Sequence, residues 1–120
     1  MKKVLIVDNS SYMRMFVKKI IEKGGSYSVL EASDKNDAMH IFKVEDPDIV
    51  ILDLNMSEST MEGIEVLSNI IEINPEAVVI IISAVQHEEV KEKCMALGAK
   101  DYIKKPIDAD ILMNTLKEYK

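Results

Sequence analysis

The chain has 120 residues, a formal net charge of −6 and a sequence pI near 4.9, which fits one acidic domain over residues 1–120. Its acidity argues against nucleic acid or an anionic membrane surface as the main partner. The single cysteine, Cys94, excludes an intramolecular disulfide, and no apolar stretch approaches the length of a membrane span, so we expect a cytoplasmic protein.

Five short apolar segments have the composition of β-strands. Three of them are nearly continuous runs of β-branched and aliphatic residues, which is typical of parallel strands buried on both faces. The predicted strands are Val4–Val7, Tyr27–Leu30, Ile49–Leu52, Val78–Ile82 and Asp101–Ile103.

Each strand precedes a segment whose apolar residues recur at helical spacing. The first helix is predicted to begin after Ser10 or Ser11 and to end at Gly24-Gly25, and the fifth to begin after Asp108. The residues expected to face the core are, helix by helix, Met13, Phe16, Val17, Ile20 and Ile21; Ala38, Ile41 and Phe42; Ile64, Leu67 and Ile71; Val90, Cys94 and Leu97; and Ile111, Leu112, Thr115, Leu116 and Tyr119. Five alternations of strand and helix predict a doubly wound parallel sheet with right-handed crossovers.

Polar residues stand where the predicted strands end. Asp8 and Asn9 follow the first strand, Asp53 the third, Ser83 the fourth and Lys105 the fifth. The carboxyl ends of parallel strands meet at one edge of the sheet, where such folds bind ligands. Oxygen ligands suit Mg²⁺, a lysine and a hydroxyl suit phosphoryl oxygens, and an aspartate can accept a phosphoryl group as an acyl phosphate.

Each of these residues also has an ordinary structural explanation. Asp8 or Asn9 could form a turn, Ser83 could cap a helix, and Lys105 could be surface charge. Their convergence at one edge of the sheet is harder to explain in that way. A dinucleotide-binding fold is excluded because no glycine-rich turn follows the first strand.

Four motifs carry a resemblance to a known family: VLIVDN, DIVILDLNM, VVIIISA and GAKDYIKKP. From Lys2 to about Tyr119 the chain resembles a response-regulator receiver domain, similar to the stand-alone chemotaxis type. The resemblance implies a flavodoxin-like (βα)5 fold with strand order 2-1-3-4-5. It also implies two-component signalling, in which a sensor histidine kinase or phosphotransfer protein donates a phosphoryl group. Such a domain is a phosphoacceptor switch that catalyses only its own phosphotransfer and dephosphorylation.

The resemblance assigns a metal site position by position. Asp53 matches the phosphorylated aspartate, and Asp8 and Asn9 match the acidic pair that holds Mg²⁺. The backbone carbonyl of Asn55 matches a further ligand of the metal.

The same resemblance implies the remaining roles in the switch. Ser83 matches the hydroxyl that follows the phosphoryl group, and Lys105 the lysine that pairs with it, with a cis peptide bond expected before Pro106. Tyr102 matches the aromatic residue that changes rotamer, so the face that binds an unknown output partner is expected within residues 87–120.

The sequence departs from the family pattern near the proposed metal. Asn9 replaces an acid and Ser57 stands where proline is common. The segment Ser57–Gly63 is longer by about two residues, so it is expected to be the most variable part of the site. Asn9 is compatible with a working Mg²⁺ site or with a pseudo-receiver that signals by binding alone. A phosphatase with Asp53 as nucleophile is less well supported, because Asn55 replaces its general acid and no cap domain is present.

Overall fold

The structure, a computed structural model, describes residues 1–54, 61–84 and 88–119, except for the side chain of Met61. Strands and helices alternate as predicted. The strands are β1 (Lys2–Val7), β2 (Tyr27–Ala32), β3 (Ile49–Asp53), β4 (Val78–Ser83) and β5 (Asp101–Lys104). The helices are α1 (Ser11–Lys23), α2 (Lys35–Glu45), α3 (Met61–Ile73), α4 (Glu88–Leu97) and α5 (Ala109–Lys117). Within the described ranges, no helix is long and apolar enough to cross a membrane.

The five strands form one parallel sheet in the order β2-β1-β3-β4-β5, which confirms the expected topology. The chain passes from β1 outward to β2 and then returns to the other side of β1 as β3. This reversal places a topological switch point between the carboxyl ends of β1 and β3. Val7 is opposite Leu52 in this pair of strands, so the residues that follow them lie side by side.

Alternate residues of the central strands pack against opposite layers of helices. Val50, Leu52 and their neighbours pack with α2, α3 and α4, whereas Ile49, Ile51 and theirs pack with α1 and α5. All five residues of β3 are buried, as its aliphatic composition predicts.

Two predicted core residues are exposed instead. Phe16 is 39% exposed and Ile111 is 55% exposed. A helix turns by about 100° per residue, so each of these side chains lies roughly a quarter-turn away from the buried stripe of its own helix. α1 buries Val17 and Ile21, and α5 buries Leu112, Thr115 and Leu116.

Side-chain caps fix where three helices begin. Ser10, rather than Ser11, caps α1 by accepting the Met13 amide at 3.2 Å. Asp34 caps α2 and Asp108 caps α5 in the same way. These caps also define the loops that follow β1, β2 and β5 at the edge of the sheet where the polar residues lie.

Candidate functional site

The carboxyl edge of the sheet carries a buried polar cluster. Asp53 is the last residue of β3 and is 4% exposed, and Asp8 follows β1 and is 5% exposed. Ser83 is the last residue of β4 and is fully buried. These three residues are buried because they stand at the ends of β1, β3 and β4, the inner strands of the sheet, each of which has a neighbouring strand on both sides.

Lys105 closes this cluster from the β5 side. Its Nζ lies 3.0 Å from Asp53 Oδ1, and its backbone amide donates to the Ser83 carbonyl at 2.9 Å. The latter bond extends the β4–β5 ladder by one residue and so fixes where the lysine leaves the sheet. The Lys105-Pro106 bond is cis, as the resemblance predicted.

Asp8 is held from several sides. Its amide donates to the Ala32 carbonyl at 3.1 Å, and its Oδ1 accepts the Ser10 amide at 2.9 Å. Burial raises the pKa of Asp8, and the neighbouring Asp53 carboxylate raises it further. The Ser10 amide and the Lys105 charge act in the opposite direction and lower the same pKa.

The cluster therefore has the properties of a cation site. Two buried carboxylates share one lysine, which leaves an excess negative charge out of water. Oxygen donors of this kind fit Mg²⁺, which binds through one or two carboxylates and keeps several waters. In the part of the chain that the structure describes, no group of three or more His, Cys, Asp or Glu side chains could hold a metal.

Other predicted residues are placed less centrally. Asn9 follows Asp8 directly but is exposed to solvent. Tyr102 lies on β5 opposite Ile81 and packs partly buried against the helices on the α2–α4 side of the sheet. Asn55 and Ser57 lie outside the described residues, so the metal role of the former and the predicted variability of the loop stay predictions.

Arg14 and Glu31 form a further pair beside the site, and neither was predicted as a functional residue. The Arg14 Nη1 donates to the backbone carbonyl of Asp8 at 2.6 Å, and its Nε donates to Glu31 Oε1 at 3.2 Å. A signal for this was present: a cation near the start of a helix opposes the helix dipole and therefore needs a nearby acceptor.

An apolar depression adjoins Lys105 on the outside of the cluster. It has a volume of about 490 Å³ and is lined by Tyr12, Met13, Phe16, Lys105, Pro106 and Ile107. Tyr12 is 71% exposed, so this rim is an accessible apolar surface next to the site. A second cavity of about 940 Å³ lies between α1 and α5 and includes none of the four residues Asp8, Asp53, Ser83 and Lys105.

Residues 4–117 match the sequence model of the response regulator receiver domain. The chain belongs to this family. It is 37% identical over 117 residues to the chemotaxis protein CheY of Thermotoga maritima, covering 98% of this chain and 96% of that protein. It is 35% identical to CheY of Bacillus subtilis, over 97% of this chain and 95% of that one. A crystal structure of Vibrio cholerae CheY4 superposes with a TM-score of 0.90 at 26% identity, covering 100% of this chain and 99% of that chain.

Membership of the family gives the chain its general role. It is a CheY-like receiver of two-component signalling, a class of phosphoacceptor switches rather than conventional enzymes. Receiver domains generally bind Mg²⁺ at the phosphorylation site and interact with histidine kinases or phosphotransfer proteins.

Proposed function

We propose that this receiver domain accepts a phosphoryl group on Asp53 from a phosphohistidine and thereby switches a partner-binding face. The carrying observation is the placement of the Asp53 carboxylate, which is buried at the switch point, 3.0 Å from Lys105 and beside Asp8. Asp53 thus lies between the Lys105 ammonium and the Asp8 carboxylate. We assign Asp53 as the nucleophile that attacks the phosphoryl group.

In the proposed reaction an Asp53 oxygen attacks the phosphorus in line with the leaving histidine nitrogen. The new O–P bond forms as the N–P bond breaks, and the imidazole keeps the electron pair and then takes a proton. Asp8, Asp53, Asn9 and the Asn55 carbonyl would hold Mg²⁺, which would neutralise charge on the phosphoryl oxygens. Lys105 remains close to Asp53 and balances charge on the other side.

The switch follows from the charge and acceptor oxygens that the phosphoryl group adds. Ser83 ends the strand next to that of Asp53, and in this proposal its hydroxyl bonds a phosphoryl oxygen. Movement there makes room for Tyr102 on the adjacent strand, and α4, β5 and α5 form the face that reports the change to an output partner. We place the protein in the cytoplasm, with protein partners rather than nucleic acid or membrane, in line with its net charge of −6.

The phosphodonor must reach Asp53 from the open edge of the sheet. The apolar rim around Tyr12, Phe16 and Pro106 adjoins Lys105 and is exposed, so we assign it to the donor protein. Tyr102 does not line this rim, so the donor surface adjoins the output face without including Tyr102.

The test is phosphorylation by acetyl phosphate in the presence of Mg²⁺, read by intact-protein mass spectrometry. The wild type is expected to gain one phosphoryl group and Asp53→Asn none. Asp110→Asn, which removes an exposed acid from the first turn of α5, is the matched control and should behave as wild type. Phosphorylation of Asp53→Asn at the normal level would contradict the assignment. If neither acetyl phosphate nor beryllofluoride with Mg²⁺ alters the wild type, the protein is a binding module instead.

A further inference from the structure

The Arg14 side chain crosses from α1 to the end of β1. Its Nη1 donates to the Asp8 carbonyl at 2.6 Å, a charge-assisted bond at the short end of the usual range. Its Nε donates to Glu31 Oε1 at 3.2 Å, and only 17% of the side chain is exposed. The other Glu31 oxygen lies 3.6 Å from Lys18 Nζ, so two cations of α1 converge on one acid of β2.

The contacted carbonyl belongs to the peptide that joins Asp8 to Asn9. The Ser10 amide, which donates to Asp8 Oδ1, closes a turn that contains this peptide, and the Asp8 amide donates to the Ala32 carbonyl. The guanidinium adds a hydrogen bond to the carbonyl of the peptide itself, which further restricts its plane and the direction in which Asn9 leaves the strand. Both residues are candidate ligands of the proposed metal.

Arg14 is suited to this by its geometry rather than by its charge. A guanidinium presents donors in a rigid fork, so Nε and Nη1 can bind Glu31 and the Asp8 carbonyl together, whereas a lysine offers one mobile nitrogen. The contact that Arg14 makes with Asp8 is to the backbone carbonyl, so its effect on the site is expected to pass through the backbone.

We propose that Arg14 is a positioning residue for the metal and phosphoryl site, and that Glu31 holds it in place. The inference deepens the proposed function and rests on it for its role in phosphotransfer. The structural part of the inference, that Arg14 orders the turn after β1, depends only on the contacts of Arg14 with Asp8 and Glu31.

The discriminating comparison is Arg14→Lys against Lys18→Gln. Arg14→Lys keeps a positive charge and loses the fork. Lys18→Gln removes a cation that pairs with the same Glu31 but has no contact with Asp8. Changing the partner of a metal ligand typically weakens metal binding by 10–100-fold, so we expect about a ten-fold loss of Mg²⁺ affinity in Arg14→Lys and little change in Lys18→Gln. Glu31→Gln keeps Arg14 but removes the carboxylate that holds it. We expect its loss of Mg²⁺ affinity to lie between those of Lys18→Gln and Arg14→Lys.

Two measurements keep this test apart from the test of phosphorylation. Calorimetric titration with Mg²⁺ alone, without a phosphodonor, reads the metal site. Amide hydrogen exchange in EDTA reads the turn: the Ser10 amide, which donates to Asp8 Oδ1, should exchange faster in Arg14→Lys and at the wild-type rate in Lys18→Gln.

Faster exchange at Ser10 with weaker Mg²⁺ binding, in Arg14→Lys and not in Lys18→Gln, is the expected result. Unchanged exchange and affinity in Arg14→Lys would overturn the inference, as would equal losses in Lys18→Gln, which would assign the effect to charge. A wild type that binds Mg²⁺ but resists phosphorylation would refute the proposed function and leave this comparison intact. If the wild type binds no Mg²⁺, the exchange result alone decides whether Arg14 orders the turn.

Discussion

Replacing Asp8 by asparagine should stabilise the metal-free protein at neutral pH. Asp8 is 5% exposed and lies beside the buried Asp53 carboxylate, and both facts raise its pKa. Its ionised form is therefore disfavoured in the fold. Asparagine preserves the shape of the side chain and an oxygen that can accept the Ser10 amide, while removing the charge.

The size of the effect follows from the charges around Asp8. Two unit charges at about 4–5 Å repel by roughly 3–4 kcal/mol at an effective dielectric constant of 20. Lys105 and the Ser10 amide oppose this repulsion, so we expect a net gain of about 1–2 kcal/mol in the free energy of unfolding. For a domain of this size that gain corresponds to a melting temperature higher by roughly 3–10 °C.

The gain should depend on pH with a definite sign. The pKa of Asp8 is higher in the folded than in the unfolded chain, so the folded state binds more protons between the two values. The wild type therefore loses stability as the pH rises from the ordinary aspartate value through the raised one, and the whole penalty is present above it. The difference between variant and wild type should be small in acid and constant above the raised pKa.

Thermal melts of both proteins in EDTA across this pH range measure how much more stable the metal-free variant is than wild type. Melts in Mg²⁺ measure how far the metal removes that difference. Mg²⁺ should stabilise the wild type and have much less effect on Asp8→Asn, which lacks one carboxylate ligand. A variant that is equally or less stable than wild type in EDTA at neutral pH would refute the reasoning. It would mean that Lys105 and the Ser10 amide outweigh burial and Asp53.

Three further changes test other parts of the structure. Asn9→Asp should tighten Mg²⁺ binding by about ten-fold in calorimetric titration and lower the melting temperature in EDTA, and equal affinities would show that residue 9 is not a ligand. Gly63→Ala should cost about 1–3 kcal/mol in urea unfolding, because a Cβ would lie 3.0 Å from the Leu54 Cα, and a neutral change would contradict this packing. The Cys94 thiol is fully buried and its pKa is raised by burial, so it should react with a thiol reagent slowly in the native state and quickly in urea. Equal rates in the two states would be the contrary result.

Composition predicted the elements of the fold well because the strands are unambiguous. Residues 49–52 and 78–82 are aliphatic throughout, and short runs rich in β-branched residues are typical of strands covered on both faces. The strands nevertheless extend one or two residues further than predicted, so that Asp53 and Ser83 belong to the sheet itself. The order of the strands came from the family resemblance, because alternation of strand and helix does not determine which strands are neighbours.

The site was predictable where a residue directly follows a strand, and less so where two elements meet. Asp8, Asp53, Ser83 and Lys105 reach one edge because parallel strands end together. The Arg14–Glu31 pair could not be found in this way, since it depends on β2 lying beside β1 with Glu31 opposite Ile6.

The neutral residue at position 9 has opposite effects on the two charged species that the proposed reaction brings together. A carboxylate there would attract the divalent cation, and it would equally repel the incoming phosphoryl group, which carries about −1.5 to −2 charges once attached. Asn9→Asp should therefore accelerate phosphorylation by acetyl phosphate at limiting Mg²⁺, where occupancy of the metal site sets the rate. At saturating Mg²⁺ only the repulsion remains, and the variant should be no faster than wild type. Equal rates at saturating Mg²⁺ would mean that repulsion at residue 9 is negligible, which the exposure of Asn9 to solvent would explain. A variant that is still faster at saturating Mg²⁺ would contradict the reasoning.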